Sequence, residues 1–296
     1  MDPRHPVIDF PAGALAYWTH CTPLGGNMTT LVLGANGKTG RRVADRLETR
    51  GVPVRRGTRT GAPAFDWTDP ATWPAALDGM AAVYVSYFPD IAMPGAVDAV
   101  RELSELADKA GVRRLVLLSG RGEEEAQAAE QVVMSGSIEW TVVRCSWFNQ
   151  NFSEGYLLDP VLGGEIVLPT GEMAEPFVDT DDIADVAVAA LTSPGHGGRV
   201  YEMTGPRLLT FADAIGEIVT ATGRELVLRQ ADLDTYVAAM TEHGVPQDII
   251  GLLGYLFGEV LDGRNAWVGD GVEQALGRPA KDFSAFARDN AALLSP

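Results

Sequence analysis

Thr30-Leu31-Val32-Leu33-Gly34-Ala35-Asn36-Gly37-Lys38-Thr39-Gly40-Arg41-Arg42-Val43 decides how this chain is read. An apolar run of strand character meets Gly34, and two further glycines follow at three-residue intervals. An amphipathic helix then begins, with Val43 and Leu47 on one face and Gly51 to end it. Such a strand, turn and helix aim free backbone N–H groups and the positive end of a helix at a pyrophosphate. Gly34 permits the tight turn, Gly37 lets backbone approach phosphate without a Cβ, and Gly40 lets the helix pack on the strand.

The spacing is G-x-x-G-x-x-G, a relative of the dinucleotide fingerprint G-x-G-x-x-G and not that fingerprint itself, and glycines gather in any βα turn. Context strengthens the reading. A second apolar segment, Val52-Pro53-Val54-Arg55-Arg56-Gly57-Thr58-Arg59, follows the helix. Its end falls about 20 residues past the glycines, where such folds read the adenosine ribose. The acid that usually holds a free 2′-hydroxyl is missing there, and arginines take its place. A guanidinium suits a 2′-phosphate, so the sequence favours NADP over NAD, with Arg59 as the main contact and Lys38 and Arg56 as lesser ones. The alternative is that Arg55, Arg56 and Arg59 only decorate a strand end.

At 296 residues the chain is long enough for one large domain or two modest ones, with ample core. Hydrophobic residues make up 46% and charged residues 21%, ordinary for a globular protein. A net charge of -17 argues against nucleic acid as a partner, since little would neutralise phosphates. Lys38, Lys109 and Lys281 are the only lysines, and the first sits inside the glycine turn. Its ammonium either meets a phosphate or is simply solvated. Cys21 and Cys145 have no metal-like spacing and make no disulfide framework; His5, His20, His196 and His243 form no cluster, so no metal is expected. No apolar run reaches the length of a membrane span. The expectation is a cytoplasmic protein with a small-molecule substrate.

Residues 1–27 carry prolines, glycines and scattered aromatics without a sustained period, and lack the basic start and long apolar centre of a secretory signal. They read as a leader or mobile arm; the alternative is an ordered strap that buries Phe10, Tyr17 and Trp18. Beyond the second strand, Ala64-Phe65-Asp66-Trp67 reads as a third strand with Asp66 at its carboxyl end, near the adenine side of the crevice. Asp69-Pro70 supplies an N-cap and first helical proline. Ala81–Tyr87, which contains Ser86, is a continuous apolar strand, as is Arg114–Gly120, which contains Ser119. Glu123-Glu124-Glu125 falls in the first turn of a helix ending at Gly136, where acids complement the macrodipole. Trp140–Arg144 is a further strand. Alternating strands and helices through residue 148 mean an α/β fold, a Rossmann-like doubly wound parallel sheet, with the ligand at the strands' carboxyl ends.

After Asn149 the rhythm changes to a smaller mixed α/β region. Short strands are expected at 164–169 and 200–203, and Asp179–Asp182 reads as capping and dipole residues of a helix. The helix after Gly244-Val245-Pro246 is apolar nearly all round and must be buried, either as the roof of a substrate pocket or as a homodimer interface. The expected division is a leader over 1–27, an NADP-binding domain over 28–150 with return segments near 176–205, and a mainly substrate-binding region over 151–296.

Several segments together resemble the NmrA-like atypical short-chain dehydrogenase/reductases. They are Gly34–Gly40, Arg59, Asp66-Trp67-Thr68-Asp69, Gly111–Ser119, Thr141–Phe152, Pro176-Phe177-Val178-Asp179 and Leu276-Gly277-Arg278-Pro279. The resemblance runs from about residue 28 to 292, closest to the ergot-alkaloid-type NADPH reductases and less close to NADPH:quinone reductases. Cys145 departs from it, standing where the family commonly has proline. The resemblance and the strand ends make Gly34, Asn36, Gly37, Lys38, Thr39, Gly40, Arg59, Asp66, Ser86 and Ser119 the cofactor-binding candidates. Tyr87, Trp147, Phe148 and Tyr156 are the substrate-pocket candidates.

Ordinary short-chain dehydrogenases place a Tyr four residues before a Lys to lower the phenol's pKa. No Tyr in this chain has Lys four residues later, and the helix that would carry the pair has Glu130 and Gln131. Two functions are then open: an NADPH-dependent reductase acting on an iminium, a quinone or an activated alkene, or a non-catalytic NADP(H) sensor of NmrA type. Ser119 and Glu130 are the catalytic candidates, although a mid-helix acid such as Glu130 is more often a solvated or capping residue. The leader is expected to be dispensable: a chain beginning at Met28 should bind cofactor and melt like the full chain, and a fall of several degrees in melting temperature would reveal a strap.

Overall fold

The computed structural model describes residues 29–295, so the leader expected over 1–27 lies outside the described residues. The first half alternates as the sequence pattern demands: β1 (Thr30–Leu33), α1 (Lys38–Thr49), β2 (Val54–Gly57), α2 (Trp73–Leu77), β3 (Ala82–Val85), α3 (Ala96–Lys109), β4 (Arg114–Gly120), α4 (Glu124–Met134) and β5 (Glu139–Cys145). The second half runs α5 (Asn151–Glu154), α6 (Leu158–Gly163), β6 (Glu165–Leu168), β7 (Ala174–Glu175), α7 (Thr180–Thr192), β8 (Arg199–Met203), β9 (Leu209–Thr210), α8 (Phe211–Thr222) and β10 (Val227–Gln230). Four helices close it: α9 (Leu233–Glu242), α10 (Gln247–Tyr255), α11 (Gly271–Leu276) and α12 (Phe283–Asp289).

Six strands form one sheet in the order β2-β1-β3-β4-β5-β8, every neighbouring pair parallel. Period-two alternation divides each strand between two apolar layers. Leu31, Leu33, Val83, Val85, Leu115 and Leu117 face α2, α3 and α4. Val32, Tyr84, Val116 and Val143 face α1 and α7, which bring Val43, Leu47, Ile183, Ala187 and Leu191. Burial on both faces is why these strands read as unbroken apolar runs. The chain leaves β1 for β2 on one side and returns to β3 on the other, so the crevice opens between β1 and β3 at their carboxyl ends.

Ala64–Trp67 departs from expectation. It forms no strand, only an isolated bridge between Asp66 and Asp69. The Asp66 carboxylate accepts from Thr68 N and Thr68 Oγ1, a local turn that competes with strand pairing. Asp69 then caps a 3₁₀ turn at Pro70–Thr72 through Ala71 N, as the Asp-Pro pair implied. The sheet's last strand is therefore β8, reached through α7.

A third apolar cluster lies wholly after residue 150, with Phe152, Phe177, Phe211 and Phe283 at its centre. Their rings meet edge to face, Phe152–Phe283 at 5.5 Å and Phe177–Phe211 at 5.0 Å. Helix α10 continues as a π-helical turn over Leu256–Val260. Its Ile250, Leu253 and Phe257 enter this core with Ile249 packed against it, and Ile249, Leu252 and Leu256 are half-buried. Among the described residues no helix is long and apolar enough to cross a membrane.

Candidate active site

The glycine turn has the expected construction. Gly34 has φ +66°, and Gly37 N donates to Gly34 O at 2.8 Å. A Cβ on Gly40 would stand well inside contact distance of Gly34 O, and a Cβ on Gly34 would meet Ser86 at 3.1 Å. Helix α1 starts from Gly37, which offers no side-chain cap, and no acid sits in its first turn. A helix of this length left without a capping acceptor presents its first amides to an anion. The pyrophosphate of a dinucleotide fits that requirement, and Thr39 is buried in the same turn.

Of the three arginines near β2, two are committed to the fold. Arg55 donates to the carbonyls of Ala75, Ala76 and Asp78, closing the end of α2. Arg56 pairs with Asp45 at 2.5 Å and Glu48 at 2.8 Å on α1, so it decorates the strand rather than reaching outward for a phosphate. Arg59 is exposed. Gly57 lies beside Leu33 in the sheet register, which carries Thr58 and Arg59 past the strand ends alongside the glycine turn. Phe65 N donates to Thr58 O at 2.9 Å, and this return places Asp66 within the field of Arg59.

A cavity of about 420 Å³ opens at the carboxyl ends of β3, β4 and β5 beneath α10. It brings together Lys38, Ser86, Tyr87, Ser119, Trp147, Phe148 and Tyr156 from the sequence candidates. Gly34, Asn36, Gly37, Thr39, Gly40, Arg59 and Asp66 lie outside its lining. Trp147 is held edge-on by Phe211 at 5.4 Å, and Tyr87 leans on Trp67 at 4.8 Å. Leu252, Leu253, Leu256 and Val260 supply the roof, placing α10 over the pocket. Lys38 Nζ donates to Asn151 Oδ1 at 2.9 Å, and burial lowers its pKa against the pull of Glu154 and Asp90.

Glu130 is neither solvated nor a cap: it is fully buried. Ser119 Oγ donates to its Oε1 at 2.6 Å, Arg144 Nε donates to the same oxygen at 2.9 Å, and Arg144 Nη2 donates to Oε2. Arg144 continues to Glu202 at 2.6 Å, Glu202 accepts from Arg121 Nε at 3.0 Å, and the Arg121 guanidinium lies 4.1 Å over the Trp267 ring. With both oxygens taken by donors, Glu130 serves as an acceptor that orients Ser119 and Arg144, and it does not reach the cavity.

Other carboxyl groups do. Glu124 and Glu125 occupy the first turn of α4 as expected, but Glu123 is its N-cap residue and makes no cap. Its carboxyl folds back over Gly120, where any side chain would overlap it, and lines the cavity. Burial, with the charges of Asp90, Glu125 and Glu130 adding, pushes it well above the carboxylate range. Asp90 is raised by burial, against a bond from Ala92 N at 2.9 Å and the charge of Lys38. Glu175 is fully buried and accepts from Ser146 Oγ at 3.0 Å; burial raises it to about 7, against that bond and the Arg121 charge. The sequence signal for Glu175 is its isolation in Met173-Ala174-Glu175-Pro176-Phe177-Val178, a lone acid among apolar neighbours.

The model of the NAD(P)H-binding family matches residues 34–194. An NAD(P)H azoreductase of Xenophilus azovorans is 31% identical over 285 residues, 88% of this chain and 98% of that protein. Agroclavine dehydrogenase of Claviceps fusiformis is 28% identical over 281 residues, 89% of this chain and 97% of that protein. Among solved structures, an NADPH-dependent quinone oxidoreductase of Escherichia coli complexed with NADPH superposes with a TM-score of 0.71 at 19% identity, covering 88% of this chain and 99% of that one.

The Glu175 environment carries a measurable consequence. Its carboxyl ionises near 4.5 in an unfolded chain and near 7 in the fold. Between those values the folded state holds the extra proton, so stability is full below the lower value and is lost as pH rises through the upper one. Glu175→Gln escapes that loss. Its stability relative to wild type should be about 2–3 kcal/mol more favourable near pH 8 than near pH 5, read by denaturant titration at both. A pH-independent difference would show that the carboxyl ionises normally.

Proposed function

The chain belongs to the NAD(P)H-binding family, as an NmrA-like atypical short-chain dehydrogenase/reductase, and we propose that it is an NADPH-dependent reductase of electron-poor, flat, apolar acceptors: iminiums, quinones or activated alkenes. The observation that carries this reading is the cavity of about 420 Å³ beside the glycine turn, walled by Tyr87, Trp147, Phe148 and Tyr156 and roofed by leucines. The names of the relatives agree with it: an azoreductase, an alkaloid dehydrogenase and a quinone oxidoreductase point to acceptors other than simple ketones.

On this reading the residues divide the work. Gly34, Gly37 and Gly40, with Asn36, Thr39 and the amides of α1, hold the pyrophosphate. Arg59 meets the 2′-phosphate, Asp66 stands on the adenine side, and Lys38, Ser86 and Ser119 border the nicotinamide end. When bound, the dihydronicotinamide supplies the hydride, and the protein contributes orientation and exclusion of water. Residues 28–150 then serve mainly the cofactor and 151–296 mainly the substrate.

Two measurements test the reading. Mixing the protein with NADPH and panels of iminiums, quinones, enones and ketones should oxidise the cofactor with the first three and not with simple ketones. Oxidation with ketones alone overturns the mechanism, and none with any acceptor despite tight cofactor binding makes the protein an NADP(H) sensor. Charge-assisted bonds contribute roughly 1.5–3 kcal/mol. Arg59→Ala should therefore weaken NADPH about tenfold or more in a binding titration while sparing NADH; equal losses reject Arg59 as the 2′-phosphate contact.

A further inference from the structure

We propose that Glu175 is the proton donor of the reduction, its carboxyl replacing the Tyr/Lys pair that this chain lacks. The inference rests on the reductase reading and assigns the proton that reading leaves unsupplied. Glu175 lines the cavity from β7, fully buried, with Ser146 Oγ donating to Oε2 at 3.0 Å and Oε1 without a partner. An unpartnered buried carboxyl oxygen is costly as a charge and useful as an O–H. One oxygen is held and the other, itself closed to solvent, has no partner, in a side chain that lines the cavity.

The surrounding backbone fixes the position of that side chain's segment. Val178 N donates to Trp147 O at 2.8 Å and Asn149 N to Val178 O at 2.9 Å, so the segment carrying Ser146 and the segment carrying Glu175 run side by side. Gly205 N donates to Pro176 O at 3.0 Å, and a Cβ at Gly205 would overlap Phe177 O, pinning the same segment from the far side. β9 pairs with β7 through Leu209 and Thr210, neither of them charged. The charged groups that act on Glu175 are Arg121 from the end of β4, which favours the anion, and Asp262 from the loop after the π-helical turn, which opposes it. Lys38, Asp90 and Glu123 line the same cavity. The balance leaves the acid poised near neutrality, where a general acid is most effective.

Glu130 cannot take this part, because donors occupy both its oxygens. Glu123 shares the cavity and its Oε2 is likewise unpartnered, but its carboxyl lies against Gly120 rather than under a donor such as Ser146. The step itself is a proton transfer. A quinone that has received hydride with both its electrons is an anion one proton short of the hydroquinone. Glu175 O–H gives that proton to the anionic oxygen, the O–H electron pair stays on the carboxylate, and solvent restores the proton. An iminium becomes neutral on receiving hydride and draws nothing from Glu175.

The experiment compares wild type, Glu175→Gln and Ser146→Ala. With a quinone and NADPH, Glu175→Gln should lose about 100-fold in kcat, and the wild-type fall in rate above about pH 7 should vanish. With an iminium its rate should stay within about threefold of wild type. Ser146→Ala removes a donor to the carboxylate, so its quinone profile should fall at a higher pH than wild type. Infrared titration of the protein without cofactor should show a protonated carboxyl band, lost in Glu175→Gln, that titrates near neutrality. A quinone rate unchanged in Glu175→Gln, an equal loss on the iminium, the same signature in Glu123→Gln instead, or a band titrating in the ordinary carboxylate range each overturns the proposal alone. A wild type that passes hydride to no acceptor overturns the reductase reading and the proposal with it.

Discussion

Helix α1 can sit where it does only because two glycine backbones touch. A Cβ at Gly40 would collide with Gly34 O, so the helix reaches its closest approach to the β1 turn only with hydrogen at that position. Much follows from that contact. It directs the uncapped amides of α1 toward the crevice between β1 and β3. It also sets Arg42 and Arg46 against α7, where Arg46 pairs with Asp185 at 2.8 Å, and Arg42 against Glu154 of α5 at 2.6 Å. The same helix thus anchors the cofactor turn, covers one face of the sheet and ties the later part of the chain to the earlier. A single methyl at residue 40 would disturb all three.

The local features of this fold were legible because their causes are local. Glycine spacing, continuous apolar runs and the Asp69-Pro70 helix start are written within a few residues, and the corresponding strands and helices are present. Ala64–Trp67 misled because its apolar character serves packing: Trp67 and Trp73 flank Phe65 in an aromatic cluster, while Asp66 turns the backbone. Arg56 misled for another reason. Its partners Asp45 and Glu48 lie on the preceding helix, so its charge is spent within the fold.

The strand-end residues that line the cavity were readable and its buried acids were not. Ser86, Ser119, Tyr87 and Trp147 stand at strand ends, and strand ends can be counted in a sequence. Glu175 and Glu123 reach the cavity through contacts that no spacing encodes. Glu175 depends on the pairing of residues 147–149 with 178, and Glu123 depends on the empty side of Gly120. Glu130 looked like a helix-surface acid because its partners Ser119 and Arg144 lie on two different strands, whose register brings them side by side. In each case the decisive neighbour is distant in sequence.

The buried acids also explain how so acidic a chain keeps an apolar pocket intact. At a net charge of -17, further ionised carboxylates inside the cavity would repel one another at short range. Burial avoids this by holding Asp90, Glu123 and Glu175 toward their neutral forms, while the arginine network of Arg121 and Arg144 neutralises Glu130 and Glu202 behind them. The two populations have different uses. Acids paired with arginine are fixed acceptors and rigidify the strand ends. Of the acids that burial pushes toward the neutral form, Glu175 is the one whose proton the proposal uses. On the proposed reading, an acceptor that gains negative charge draws its proton from Glu175, and the lining cations among the described residues are Lys38 and Arg121. On that reading, the partition between paired and unpaired carboxyl groups, more than any one residue, suits the cavity to electron-poor acceptors of either charge type.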